Sequence, residues 1–289
     1  LFAKKQKEFG KMRTQSVGDL EDYFKYGLLR TFAYSSLKLG IHAYNTQTDG
    51  EKEIHNSRYT RYLGNPGKYK AGDPELFETI KALLRKNEKK DGFIQRIAQS
   101  HLFPEETVFY TDPLSFNDMP RGFRAQHRQG WFAYGLAQLK NCDLVVLAPL
   151  QGLEVKSANP YAELIGPRYV ALDELKPFLD RQQSLVIHQQ VARKSVVDTI
   201  DDCIEKIRNA TGYADSIDTI LFKAGSPHLF FIIPAQRHKV QVEQTLKAYK
   251  ASPWRDFMTT GTQSCLNNPV KGDYSGHGTE AGNRARVNR

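Results

Sequence analysis

Residues 144–147 read Leu-Val-Val-Leu, four apolar side chains in a row with β-branched residues at the centre. A run this short, without polar alternation, reads as a strand buried on both faces. It also marks an edge. In open α/β sheets, ligands collect beyond the carboxyl ends of the strands. If the run is a central strand, the residues that follow it lie at the site: Ala148-Pro149, Gln151-Gly152 and Glu154-Val155-Lys156.

The remaining sequence alternates between helical and extended patterns. Asp19 is placed to cap a helix, with Asp22 in its first turn. Phe24, Leu28 and Phe32 recur on one face of that helix, and Gly40 is expected to end it. A short strand follows at 41–44, then a long polar loop to Asp73. Helices are expected at 74–90 and 91–102, a strand at 107–110, and an amphipathic helix from Arg121 into the 144–147 strand. Next come Tyr169-Val170, a helix at 173–180, a second buried strand at 184–188 and a helix at about 195–209. Strands at 219–222 and 228–233 flank a turn at 224–227, and a last helix covers about 236–250. The alternation predicts an α/β fold, a mostly parallel sheet with helices on both faces. The closing hairpin predicts one antiparallel strand at the edge.

Charge is concentrated at the ends. The net charge is +9, but residues 1–14 carry five basic side chains against one acid, and residues 259–289 four against two. The body therefore holds only a small excess, and local clusters must make any case for nucleic acid. We expect a basic arm at 1–14, one α/β domain at 15–258 and a flexible tail at 259–289, where no periodicity is visible. Cys142, Cys203 and Cys265 are too few and too scattered for a disulfide framework or a four-ligand zinc site. This favours a reducing, cytoplasmic setting. No apolar run is long enough to suggest a membrane span, and no signal-peptide pattern is present.

Two basic clusters are candidates for nucleic-acid contact. In the 45–73 loop, Arg58, Arg61, Lys68 and Lys70 interleave with Tyr59, Tyr62 and Tyr69, so cations could meet phosphates while rings stack on bases. At the start of the 121–140 helix stand Arg121, Arg124, His127 and Arg128. Cations there oppose the helix dipole, which favours a phosphate-binding role over a merely solvated helix start. Arg193 is a further candidate beyond the second buried strand.

Candidate catalytic groups lie near the expected edge. Asp22 and Lys25 share a helix start, where capping and a helix ion pair would explain them equally well. His188 ends a buried strand at the ligand-facing edge. Asp49 follows the first strand, although Asp-Gly turn chemistry explains it too. Asp143, Glu154 and Lys156 have the D-x10-E-x-K spacing of a metal-dependent nuclease superfamily, a weak signal because Asp143 begins its strand at the opposite end. No metal is expected.

The segment 18–30, GDLEDYFKYGLLR, resembles the opening motif of an uncharacterised bacterial and phage family, roughly GDIGDFxKYGLLR. The likeness continues through LAPLQGLE at 147–154 (family LDPDNGLE), RYV at 168–170, IHQQ at 187–190 (family YHH) and FFIIPA at 230–235 (family FFVIPA). It spans about 17–257. That family is distantly similar to the bacterial ribosomal-RNA adenine-N6 methyltransferases, through Asp22–Tyr26, Ala148-Pro149 and residues 225–234. The resemblance implies a Rossmann-like, methyltransferase-like fold. Two departures bear on activity. The family's Asp is Ala148 here, which fits an inactive relative, a deliberate substitution, or catalysis by another group. And the loop after the first strand, YNTQTDG, has one glycine where a cofactor loop is normally glycine-rich.

Three readings follow, in this order. The first is a hydrolytic enzyme acting on an extruded base of DNA or RNA, a DNA N-glycosylase-like protein of a phage-defence type, needing no cofactor. The second is an S-adenosylmethionine-dependent base methyltransferase. The third is a catalytically dead nucleic-acid-binding scaffold.

Overall fold

A computed structural model of the protein describes residues 17–46, 60–85, 93–191, 195–223 and 227–261. The expected basic arm, Asp49, Arg58, Arg193 and residues 262–289 of the tail lie outside the described residues.

Helix α1 spans Leu20–Ala33, and the Asp19 side chain accepts the Asp22 N–H as anticipated. It closes at Tyr34, whose N–H bonds the Arg30 carbonyl, well before Gly40. Gly40 instead lies inside β1 (Leu39–Ala43), where a Cβ would stand 2.8 Å from Cys142 Sγ. That glycine permits close packing of a strand; it does not stop a helix. The chain continues through α2 (Pro66–Tyr69), α3 (Pro74–Arg85), α4 (Phe93–Ala98), β2 (Val108–Tyr110), α5 (Arg121–Gln138), β3 (Leu144–Ala148), β4 (Gly152–Leu153) and β5 (Tyr169–Val170). It then forms α6 (Lys176–Asp180), β6 (Ser184–Gln190), α7 (Val196–Thr211), β7 (Asp218–Phe222), β8 (His228–Ile233), α8 (Lys239–Ala251) and β9 (Met258–Gly261).

Seven strands form one sheet in the order β2-β1-β3-β6-β8-β7-β9, and β4 and β5 pair separately. The first four are mutually parallel. β8 is antiparallel to both β6 and β7, so it is a reversed strand inserted between two parallel ones. The expected edge position of the hairpin strand is thus corrected. The edge belongs to β9, which pairs antiparallel with β7 and carries the folded chain past residue 258. This is a Rossmann-like α/β fold. The strand at 144–147 is interior, between β1 and β6, although β6 occupies the middle of the sheet.

Strand alternation splits the core into two layers. Leu144, Val146, Val186, Phe230 and Ile232 face α1, α3, α4 and α8. Val145, Leu147, Leu185, Ile187 and Phe231 face the opposite layer, which contains α7 and Phe178 of α6. Coverage of both faces is why the 144–147 run has no polar member. No helix among the described residues is long and apolar enough to cross a membrane.

Two stability predictions arise here. A Cβ on Gly27 of α1 would lie 2.2 Å from Trp254 Cζ2, and that indole is wedged among Tyr23, Phe24 and Tyr249. Gly27→Ala is therefore expected to destabilise by about 1–3 kcal/mol despite its better helix propensity, read as a lower urea midpoint. On β1, His42 is fully buried among Tyr44, Tyr110 and Trp131, and neither ring nitrogen has a hydrogen-bond partner among the described residues. Burial, helped by the Arg128 charge, pushes its pKa from 6.5 down to about 3. Between those values the unfolded chain takes up a proton that the folded chain refuses, so stability falls as pH drops through that window. His42→Leu is expected to gain about 1–3 kcal/mol at neutral pH by removing two unsatisfied polar atoms. Its advantage should widen at pH 4.5 in the same urea titration.

Candidate functional site

The topology brings three helix and strand ends to one edge. α1 feeds back into β1, so its first turn stands above the carboxyl ends of the parallel strands. β6 ends at that edge with His188 near its end, and β8, running the other way, begins there with His228. In the β6–β8 register His188 faces Phe230 and Gln190 faces His228, so the two histidines are diagonal neighbours on one face. That face is the one covered by α1.

Glu21 joins them. His188 Nε2 lies 3.1 Å from Glu21 Oε1, and His228 Nε2 lies 3.1 Å from Glu21 Oε2. His188 Nε2 is also 3.3 Å from His228 Nδ1, and His188 Nδ1 is 3.0 Å from the Pro149 carbonyl oxygen. The segment after β3 is held over the end of β6 by Gln189, whose side chain accepts from the Leu153 N–H and donates to the Gln151 carbonyl. That clamp is what puts Pro149 beside His188.

The histidine side chains are nearly closed off, at 2% and 5% exposure, whereas Glu21 retains 27%. Burial works to raise the Glu21 pKa. The His188 hydrogen bond and the charges of the two imidazoles outweigh it, and the carboxyl is pulled down to about 2. Burial pushes His228 down to about 4, against the pull of Glu21. On the same turn, burial, then the neighbouring Asp22 and Glu21 charges, push Asp19 up to about 8. Lys25 Nζ pairs with Asp22 Oδ1 at 2.5 Å, and that carboxylate outweighs desolvation to raise the lysine pKa. The other Asp22 oxygen accepts the Gly18 N–H at 2.8 Å.

Asp22, Lys25, Ala148 and His188, named from the sequence, therefore gather at one edge. Ala148 is half-buried and shares the α1-facing side with Val146, one residue past the pairing of Leu147 with Ile187. Glu21 and His228 were missed. His228 was legible in outline, since a hairpin inverted against β6 returns its second strand to that edge. Nothing in the sequence distinguishes Glu21 from its acidic neighbours.

Other candidates lie elsewhere. Glu154 accepts the Leu172 N–H at 3.0 Å, and Asp143, at the opposite end of β3, accepts the Lys38 N–H at 3.0 Å. The D-x10-E-x-K spacing is not assembled into a site, because a strand separates its two acids. Arg128 is a correction: it is fully buried and paired with Glu174, so it offers nothing to a phosphate. Tyr62 is another, since its buried ring stacks on Tyr23 and its hydroxyl donates to the Gly18 carbonyl. Arg124 is half-buried and donates to the Met119 and Ala162 carbonyls, which pins a loop. Arg61, Arg121 and His127 are exposed, Arg121 within 3.2 Å of Glu163.

No family model matches this chain, and no curated protein does. Among solved structures, it is similar to protein LPL1258 from Legionella pneumophila, of family DUF519. The likeness covers 85% of this chain and 97% of that one, at 10% identity and a TM-score of 0.44.

Proposed function

We propose that the protein is a hydrolase acting on a base of DNA or RNA, with the cluster of Glu21, His188 and His228 at its centre. One observation carries this reading: a carboxylate held at 3.1 Å by each of two buried imidazoles, at the sheet edge where such folds take ligands. Basic support comes from Arg61, Arg121 and His127, which are exposed; the last two sit on the first turns of α5, whose N-terminus reaches that edge.

The reaction is hydrolysis of the N-glycosidic bond. The bond between C1′ and the base nitrogen breaks, and its electron pair leaves with the base. The sugar becomes cationic, and Glu21, the most exposed of the three, supplies the opposing charge. Water adds to C1′; one of its protons ends on the departing base and the hydroxyl stays on the sugar. His188 and His228 hold Glu21 in place, and Lys25 is the nearby cation that can hydrogen-bond the departing base. No S-adenosylmethionine is required, in keeping with the single glycine in the sequence that follows β1.

The sheet order favours a second reading, a methyltransferase acting on the same class of target, because the reversed strand β8 between β6 and β7 is the arrangement of S-adenosylmethionine-dependent methyltransferase sheets. The two readings part in one experiment. A panel of single- and double-stranded DNA and RNA is incubated with the protein, and free bases are read by mass spectrometry. Base release that falls about 100-fold or more in His188→Asn supports hydrolysis. No release, with S-adenosylmethionine bound in calorimetry, supports methylation instead.

A further inference from the structure

With neutral imidazoles, the hydrogen-bond roles at the cluster do not close on their own. The Pro149 carbonyl can only accept, so His188 Nδ1 carries its proton and Nε2 presents a lone pair. Glu21 Oε2 likewise accepts from His228 Nε2, which leaves His228 Nδ1 as a lone pair. His188 Nε2 then faces two further acceptors, Glu21 Oε1 at 3.1 Å and His228 Nδ1 at 3.3 Å. With both imidazoles neutral, three electron-rich atoms among the described residues point at one another with no donor between them. Such a convergence needs a cation at its centre.

The spacing suits a metal ion. Two ligands held 2.0–2.1 Å from a tetrahedral zinc ion lie roughly 3.3 Å apart. One ligand atom from each of Glu21, His188 and His228 lies within 4.8 Å of the others. Two imidazoles and a carboxylate, with no thiolate, suit a divalent first-row ion of the zinc class, and three protein ligands leave a position open. The bond from His188 Nδ1 to a backbone carbonyl is the outer support that fixes the ring orientation of a metal-bound histidine. We infer that Glu21, His188 and His228 form a binding site for one divalent zinc-class ion at the carboxyl edge of the sheet.

This inference rests on the cluster's geometry and not on the nature of the substrate. It would change one role in the proposed reaction: Glu21 would serve as a ligand, and an ion held by Glu21, His188 and His228 would supply Lewis-acid polarisation of a water.

The test reads ion uptake without substrate, so its failure leaves base hydrolysis standing. The full chain is stripped with chelator, dialysed and titrated with zinc chloride in a calorimeter. One zinc per chain is expected, with affinity at least 100-fold weaker in His228→Asn and unchanged in His238→Asn, whose imidazole lies beside Asp143 at the far end of β3. Because His228→Asn could disturb the hairpin, cobalt(II) is added to the unaltered chain as well. Intense visible bands of a four- or five-coordinate nitrogen and oxygen site are expected. A spectrum of hexaaqua cobalt, no zinc uptake, or uptake equal in His228→Asn would overturn the inference and leave a proton as the bridging cation.

Discussion

Arg128→Met is expected to cost about 3–5 kcal/mol, enough to leave the protein barely folded. All five guanidinium N–H groups are engaged. Nε and Nη2 grip Glu174 at 2.7 and 2.8 Å, Nη1 reaches the Pro160 and Gly166 carbonyls at 3.3 and 3.2 Å, and Nη2 also reaches the Tyr169 carbonyl at 2.7 Å. Glu174 is itself buried and accepts from the Tyr44 hydroxyl and the Ala171 N–H. Removing the arginine strands a carboxylate away from water and releases three carbonyls that fasten residues 160–169 to α5. Arg128→Lys should lose most of the same energy, since an ammonium has three donors and no planar fork. The double variant Arg128→Met with Glu174→Leu should recover only part of the loss, because it relieves the stranded charge but not the carbonyls. Urea midpoints of the three variants check all of this.

Ala148→Asp is expected to raise base release by about 100- to 10,000-fold over the unaltered chain. The Ala148 side chain lies on the α1-facing side of β3, one residue past the pairing of Leu147 with Ile187, and so beside His188. A carboxylate there adds a second negative group at the reacting edge and a proton acceptor next to the imidazole. Position 148 is half-buried at the end of the strand, with part of its side chain open to solvent. Release measured by mass spectrometry, with the thermal midpoint recorded alongside, checks this. An unchanged rate in a folded variant would place the chemistry away from this strand end.

The sequence carried the architecture because burial leaves a direct trace. A run such as 144–147 has to be covered on both faces, and the 3.6-residue recurrence of Phe24, Leu28 and Phe32 has to face a sheet. It carried the edge for the same reason, since strand ends follow from strands. The individual side chains were less legible. Arg128 and Arg124 sit in a basic cluster that the sequence assigns to phosphate contact, yet backbone carbonyls of a distant loop claim both. Tyr62 looks like a base-stacking ring until its neighbours Tyr23, Tyr69 and Phe77 are known. Glu21 and His228 are 207 residues apart and meet only through the inversion of β8 against β6, a pairing that no local pattern encodes. Gly40 misled because a glycine after a helical stretch reads as a stop, while the close approach of Cys142 is a tertiary fact.

Base release by the unaltered chain, measured beside Glu21→Gln, tests the role of the carboxylate directly. Glutamine keeps the shape of the side chain and removes the charge of the carboxylate that the two histidines position. The account predicts free base and alkali-labile sites from the unaltered chain, and loss of both in a Glu21→Gln variant that folds normally. Equal release from the two proteins, or none from the unaltered chain while S-adenosylmethionine binds, would contradict it.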